Sequence, residues 1–219
     1  QNNPDNFDIL MAAARAAGAK QQWQEAATYA EQAHKVQPER PEPYLALAVA
    51  YQRMEQTAKA IELFAELPPD VRADNARLFL SQIELLIYDN RLDEAQQQLD
   101  EYKKTLPTHR FVFEYVEGRI ALARDNTDEA IRNLVRVTES NPDFAQAQFY
   151  LAVAYLKAGF RDRARAALEL FTRTHPTDER GQALYEREFG GADAFARQLR
   201  EAREAADTVL FMDGGIVLE

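Results

Sequence analysis

The pentapeptide Leu-Ala-Val-Ala-Tyr occurs twice, at residues 47–51 and 151–155, inside the longer echo PYLALAVAYQRMEQTAKAIELF against QFYLAVAYLKAGFRDRARAALELF. An internal repeat constrains a chain more than any single motif, because one short unit cannot bury its apolar face alone and must stack on copies of itself. Prolines supply a ruler: Pro38, Pro107, Pro142 and Pro176 are 69, 35 and 34 residues apart, the first gap being two units. The second unit departs from it, ending early at Pro68 and Pro69. Ala26, Ala60, Ala95, Ala130 and Ala164 follow the same ruler at 34, 35, 35 and 34. Five units therefore start near Phe7, Pro41, Ala76, Phe111 and Ala145.

Within a unit the apolar residues recur at helical spacing. Tyr44, Leu47, Ala48 and Tyr51 stand at i, i+3, i+4 and i+7, and Ala60, Ile61, Phe64 and Leu67 form a second set after a break. Each unit reads as a helical hairpin. Asp93 in RLDEAQ and Thr127 or Asp128 in NTDEAI are placed to accept the orphan N–H groups that open a second helix. The prolines close each unit because they cannot extend a helix.

A unit of this length with an aromatic at position eleven, alanine at twenty, a large apolar residue at 24 and proline at 32 resembles the tetratricopeptide repeat. The fifth unit carries the pattern through Leu151, Ala152, Tyr155, Gly159, Ala164, Leu168 and Pro176. The second carries it through Tyr44, Leu47, Ala48, Tyr51, Ala60 and Phe64, the first through Trp23, Ala26, Ala33 and Pro38, and the third through Phe79, Ala95, Leu99 and Pro107. The fourth keeps Gly118, Ala130, Leu134 and Pro142 but sets Glu114 and Glu117 where apolar residues are usual. The fold expected is an all-α, right-handed solenoid. Its parts are an extension over 1–6, repeats over 7–40, 41–75, 76–110, 111–144 and 145–176, capping helices over 177–207, and a tail over 208–219.

The capping stretch contains DERGQALYEREF and ADAFARQLREAREAAD, with Phe195 and Leu199 on one face of the latter. The tail TVLFMDGGIVLE has β-rich runs around Asp213-Gly214-Gly215, a hairpin signal. With the preceding AREAAD it resembles a strand-turn-strand near the end of amino-acid-type ABC transporter ATPases. The phosphate-binding G-x-x-x-x-G-K-[ST] sequence is absent, so no ATP site follows. An isolated hairpin is marginal in water, which points to self-association through 208–219 or to the start of a further domain.

Composition narrows function. The net charge of −10 disfavours nucleic acid. The absence of cysteine removes disulfides, thiol nucleophiles and thiolate metal sites, and leaves cytoplasm and periplasm equally open. No apolar run reaches the roughly 20 residues of a membrane span, and no signal leader precedes Gln1, which suits a mature chain or an excised segment. His34, His109 and His175 belong to different units and do not converge on an ion, and the Asp93-Glu94 and Asp128-Glu129 pairs read as helix-start acids rather than acid/base groups. No catalytic signature occurs, so neither an enzyme nor a cofactor is expected.

The resemblance implies a concave face lined by positions 2, 5, 9, 12 and 13 of each first helix. The peptide-binding candidates among these are Arg53, Arg77, Glu84, Tyr88, Tyr115, Arg119, Phe149, Val153 and Lys157. Tyr115, Leu122, Phe149 and Leu156 have an alternative use in packing against neighbouring hairpins, whereas Arg53, Arg77, Arg119 and Lys157 have no packing reason to recur there. The carboxylate clamp of chaperone-binding relatives is missing, since Met11, Arg15, Ala46 and Arg77 stand at its positions. The function expected is a protein-interaction scaffold with a protein or peptide partner. The alternative is a regulatory or substrate-presenting arm of a larger enzyme or of a secretion or assembly machine.

Overall fold

The computed structural model describes residues 6–67, 75–105, 110–176 and 178–190. The candidate 208–219 hairpin, the segment with Phe195 and Leu199, the early-ending prolines Pro68 and Pro69, Pro107 and His109 lie outside the described residues. Eleven helices and no strand occur among the described residues. They are α1 Phe7–Ala19, α2 Trp23–Val36, α3 Pro41–Arg53, α4 Thr57–Ala65, α5 Ala76–Tyr88, α6 Leu92–Thr105, α7 Arg110–Ala123, α8 Thr127–Ser140, α9 Ala145–Lys157, α10 Arg161–Thr174 and α11 Glu179–Phe189. By compactness the chain divides into two larger units, each holding several repeats: a first unit, Gln1–Val116, and a second unit, Glu117–Glu219, the division falling inside α7.

The turn inside each hairpin repeats to the residue. Gln21, Glu55, Asn90, Asp125 and Gly159 all have φ between 58° and 79°, in the left-handed region. Around each, the next residue's N–H donates to the carbonyl five residues back: Gln22 to Ala17, Gln56 to Tyr51, Arg91 to Leu86, Asn126 to Ala121 and Phe160 to Tyr155, at 2.8–2.9 Å. The left-handed residue itself donates three back, as Glu55 does to Gln52 and Gly159 to Leu156. This pair of bonds is a Schellman closure, which satisfies carbonyls that the helix end leaves open. Only Gly159 adopts it without a Cβ penalty.

The ruler alanines do the packing. Ala60, Ala95, Ala130 and Ala164 are fully buried and Ala26 is nearly so, letting the two helices of a hairpin approach closely. In the first unit Phe7, Leu10, Met11 and Ala33 form a core under Tyr29 and Ala46. In the second, Ala152, Leu168, Leu184 and Tyr185 do so under Phe149, Val153, Leu156, Ala167 and Phe189. Gly181 in α11 lies against Phe171 and Thr172 so closely that a Cβ would run into them.

Capping differs in detail from expectation. In α8 the cap is Asn126, whose side chain accepts from the Glu129 N–H, while Thr127 is already the first helical residue. At α6, Arg91 donates twice to the Glu94 carboxylate at 2.6 and 2.7 Å. Junctions between hairpins reuse one device: the Tyr44 hydroxyl donates to the Pro38 carbonyl at 3.1 Å, and the Gln148 amide, at the same position of the fifth repeat, donates to the Pro142 carbonyl.

Candidate functional site

The candidate residues sit on first helices, and the structure sorts them by accessibility. In the first unit, Arg53 ends α3 with its guanidinium 5.4 Å from the Trp23 ring centroid. Arg77 stands exposed at the start of α5, and Tyr88, ending that helix, is 63% exposed. Val49, one of the other lining positions on α3, is 47% exposed. Glu84 is half-buried because its carboxylate accepts from the hydroxyl of Tyr115 at 2.7 Å. Tyr115 itself is buried, so a peptide would meet Glu84 and not the phenol. The first unit thus brings Glu84 and Tyr115 into direct contact.

In the second unit Arg119 is buried, with its guanidinium 3.5 Å from the Tyr150 ring centroid. This corrects the expectation that Arg119 has no packing reason to be there: the flat cation lies on the aromatic face and its stem fills space between helices. Phe149 touches Tyr150 edge-on at 5.2 Å and Phe171 at 5.6 Å, and the Arg180 guanidinium lies 5.1 Å from its ring. Val153 and Leu156 are half-buried on the same apolar cluster, and Leu122 is buried, which is the packing use allowed for this set. Lys157 is exposed but spans back to the Asp125 carboxylate and the Leu122 carbonyl. A guanidinium, two rings and a second guanidinium therefore succeed one another from α7 through α9 to α11.

Electrostatics follow local pairing. Arg180 donates to Asp178 through two nitrogens, which holds that carboxyl below its ordinary range against the opposing effect of burial. The Tyr51 hydroxyl is pushed up by burial and by its bond to Glu31 at 2.6 Å. Among the described residues no group of three or more acidic or imidazole side chains is disposed to hold a metal ion.

The tetratricopeptide-repeat family profile matches residues 17–83 and again 121–188, together more than half of the chain. The chain belongs to the tetratricopeptide-repeat family. The second match extends to residue 188, within α11, which starts 34 residues after α9. No curated protein matches the chain in sequence. Among solved structures it is similar to PilW, described as a widely conserved type IV pilus biogenesis factor, at 18% identity over 89% of this chain and 97% of that one, with TM-score 0.60. Pseudomonas aeruginosa PilF is similar at 19% identity over 89% and 90%, TM-score 0.58. A tetratricopeptide repeat protein of Parabacteroides merdae is similar at 17% identity over 92% and 86%, TM-score 0.62. At these identities the likeness establishes the all-α repeat-solenoid fold.

Tyr150, Trp23 and Arg180 were not legible as site residues. They are not among the lining positions, and cation–ring contacts join Tyr150 to Arg119, Trp23 to Arg53 and Arg180 to Phe149. The one available signal is compositional: arginine recurs within reach of aromatics in a chain that is acidic as a whole.

Proposed function

We propose that this tetratricopeptide-repeat protein is a non-catalytic interaction scaffold whose first-helix faces hold an extended or helical segment of a protein partner. The observation that carries the reading is the exposure of two apolar lining residues on successive first helices, Val49 at 47% and Tyr88 at 63%, with the exposed cations Arg53 and Arg77 on the same helices. Aromatic and arginine side chains are the types that dominate binding energy at protein interfaces. The second unit supplies a half-buried apolar strip, Phe149 and Val153, in place of free cations, since Arg119 is buried and Lys157 is engaged.

The test is a photo-crosslinking amino acid placed at Tyr88 and, as control, at Leu170, an exposed apolar residue of the second helix α10. Crosslinks from position 88 are expected to trap a discrete partner segment that position 170 does not. With that segment in hand, Tyr88→Ala should weaken binding by about 1–3 kcal/mol without moving the thermal midpoint. Equal trapping from both positions overturns the reading.

A further inference from the structure

The turn that joins α9 to α10 breaks the chemistry of its four counterparts. Gln22, Gln56, Arg91 and Asn126 stand immediately before α2, α4, α6 and α8, all of them polar; the apolar Phe160 stands before α10, 46% exposed, and like Gln22 and Gln56 it makes no side-chain capping bond. The helices α2, α6 and α8 carry only acids as charged first-turn residues, Glu25, Asp93 with Glu94, and Asp128 with Glu129. In α10 the single acid Asp162 is flanked by Arg161 and Arg163, and Arg165 follows. Arg161 and Arg163 in the first turn oppose the helix dipole, as Lys59 does in the first turn of α4, where no acid stands.

The arginines are held on rings. Arg163 lies 5.4 Å from the Phe160 centroid and 5.9 Å from that of Tyr155, while Arg161 and Arg165 lie 5.1 and 4.9 Å from Phe189. Arg161 also donates to the Glu188 carbonyl and pairs loosely with its carboxylate at 3.8 Å. Among the described residues, Arg163 and Arg165 have no carboxylate within ion-pairing distance. Stacking fixes a guanidinium in place without neutralising it, so its N–H fork stays available to an incoming anion.

We infer that this turn-side surface, formed by Phe160, Arg163 and the Arg161–Phe189–Arg165 stack, docks an acidic protein segment that carries apolar side chains between its carboxylates. Charge complementarity selects the acids, since the guanidiniums of Arg163 and Arg165 stand together here without a paired carboxylate, a local cationic feature that opposes the repulsion from the chain's overall charge of −10. The exposed Phe160 ring selects an apolar neighbour, which a phosphate backbone would not supply. Asp162 and Glu188, interspersed among the arginines, further disfavour a continuous run of phosphates. The surface lies at the hairpin turn, apart from the first-helix lining positions, and does not depend on the scaffold reading above.

The experiment is fluorescence anisotropy of the full chain with a labelled peptide of Glu-Phe-Glu repeats, beside the same peptide with lysine for glutamate, a single-stranded oligonucleotide, and phosphatidylserine vesicles. Binding of the acidic peptide alone is expected, falling as ionic strength rises from about 0.05 to about 0.5 M. Phe160→Ser combined with Arg163→Glu should weaken it about tenfold or more at an unchanged melting temperature. Arg165→Glu is the second variant if the first fails to fold. Tyr88→Ala should leave this binding intact, which separates its failure from that of the lining face. No binding by the parent chain, equal binding by the variants, or tighter capture of the oligonucleotide or vesicles overturns the inference.

Discussion

Arg119 shows how much a residue's role depends on what reaches over it. Its position on α7 marks it as a lining cation, yet Tyr150 covers it and it is 8% exposed. Arg119→Ala should therefore cost stability, about 1–3 kcal/mol for the lost cation–ring contact and packing. Chemical denaturation measures this, and a variant as stable as the parent would show that the contact contributes nothing. Asp178 supplies the pH-dependent counterpart. Its carboxyl is held low by Arg180, so the folded state gains from its ionisation. That stabilisation is fully present above the ordinary carboxylate range of about 4 and is lost as pH falls through the lowered folded value. Asp178→Asn should flatten the acid limb of the stability profile while keeping the cap, because the amide oxygen still accepts from the Arg180 N–H.

At the scale of the element, the five hairpin turns share one conformation but not one residue. Glu55 holds φ at 61° with a side chain that gains no compensating bond within the turn. Glu55→Gly should therefore stabilise, by about 0.5–1 kcal/mol once glycine's larger unfolded-state freedom offsets part of the relief. A rise in thermal midpoint checks it; a fall would mean that the left-handed strain is negligible here. The sequence pattern located the second helices through their alanines, whereas the turn conformation was signalled only at Gly159. The other four turns are left-handed because the two Schellman bonds require it, whatever residue occupies the position.

At the scale of the molecule, a repeat array gains most of its stability from contacts between neighbours. Ala164 is fully buried between the helices of the fifth hairpin, so Ala164→Leu should overpack that contact at a cost of about 1–3 kcal/mol. Hydrogen exchange should show the loss concentrated in α9, α10 and α11, with α1–α4 keeping their protection. Uniform loss from α1 to α11 would mean that the chain unfolds as one cooperative body. No described helix is long and apolar enough to cross a membrane.

Sequence alone determined the period, the hairpin unit, the alanine contacts and the family, because these follow from spacing that every unit repeats. The expected lining positions came from the family resemblance, and helix register alone puts them near one face without reference to neighbours. The tertiary structure decided which of them remain available. Tyr115 is hidden by its own bond to Glu84, Arg119 by Tyr150, and Lys157 is tied to Asp125, while Tyr88 and Val49 stay in the open. The physical reason is lateral: exposure at a lining position depends on the size and charge of the side chain that an adjacent turn or helix leans across it. Those partners are 31 or 32 residues away in the chain, and their orientation is set by packing that no local pattern encodes.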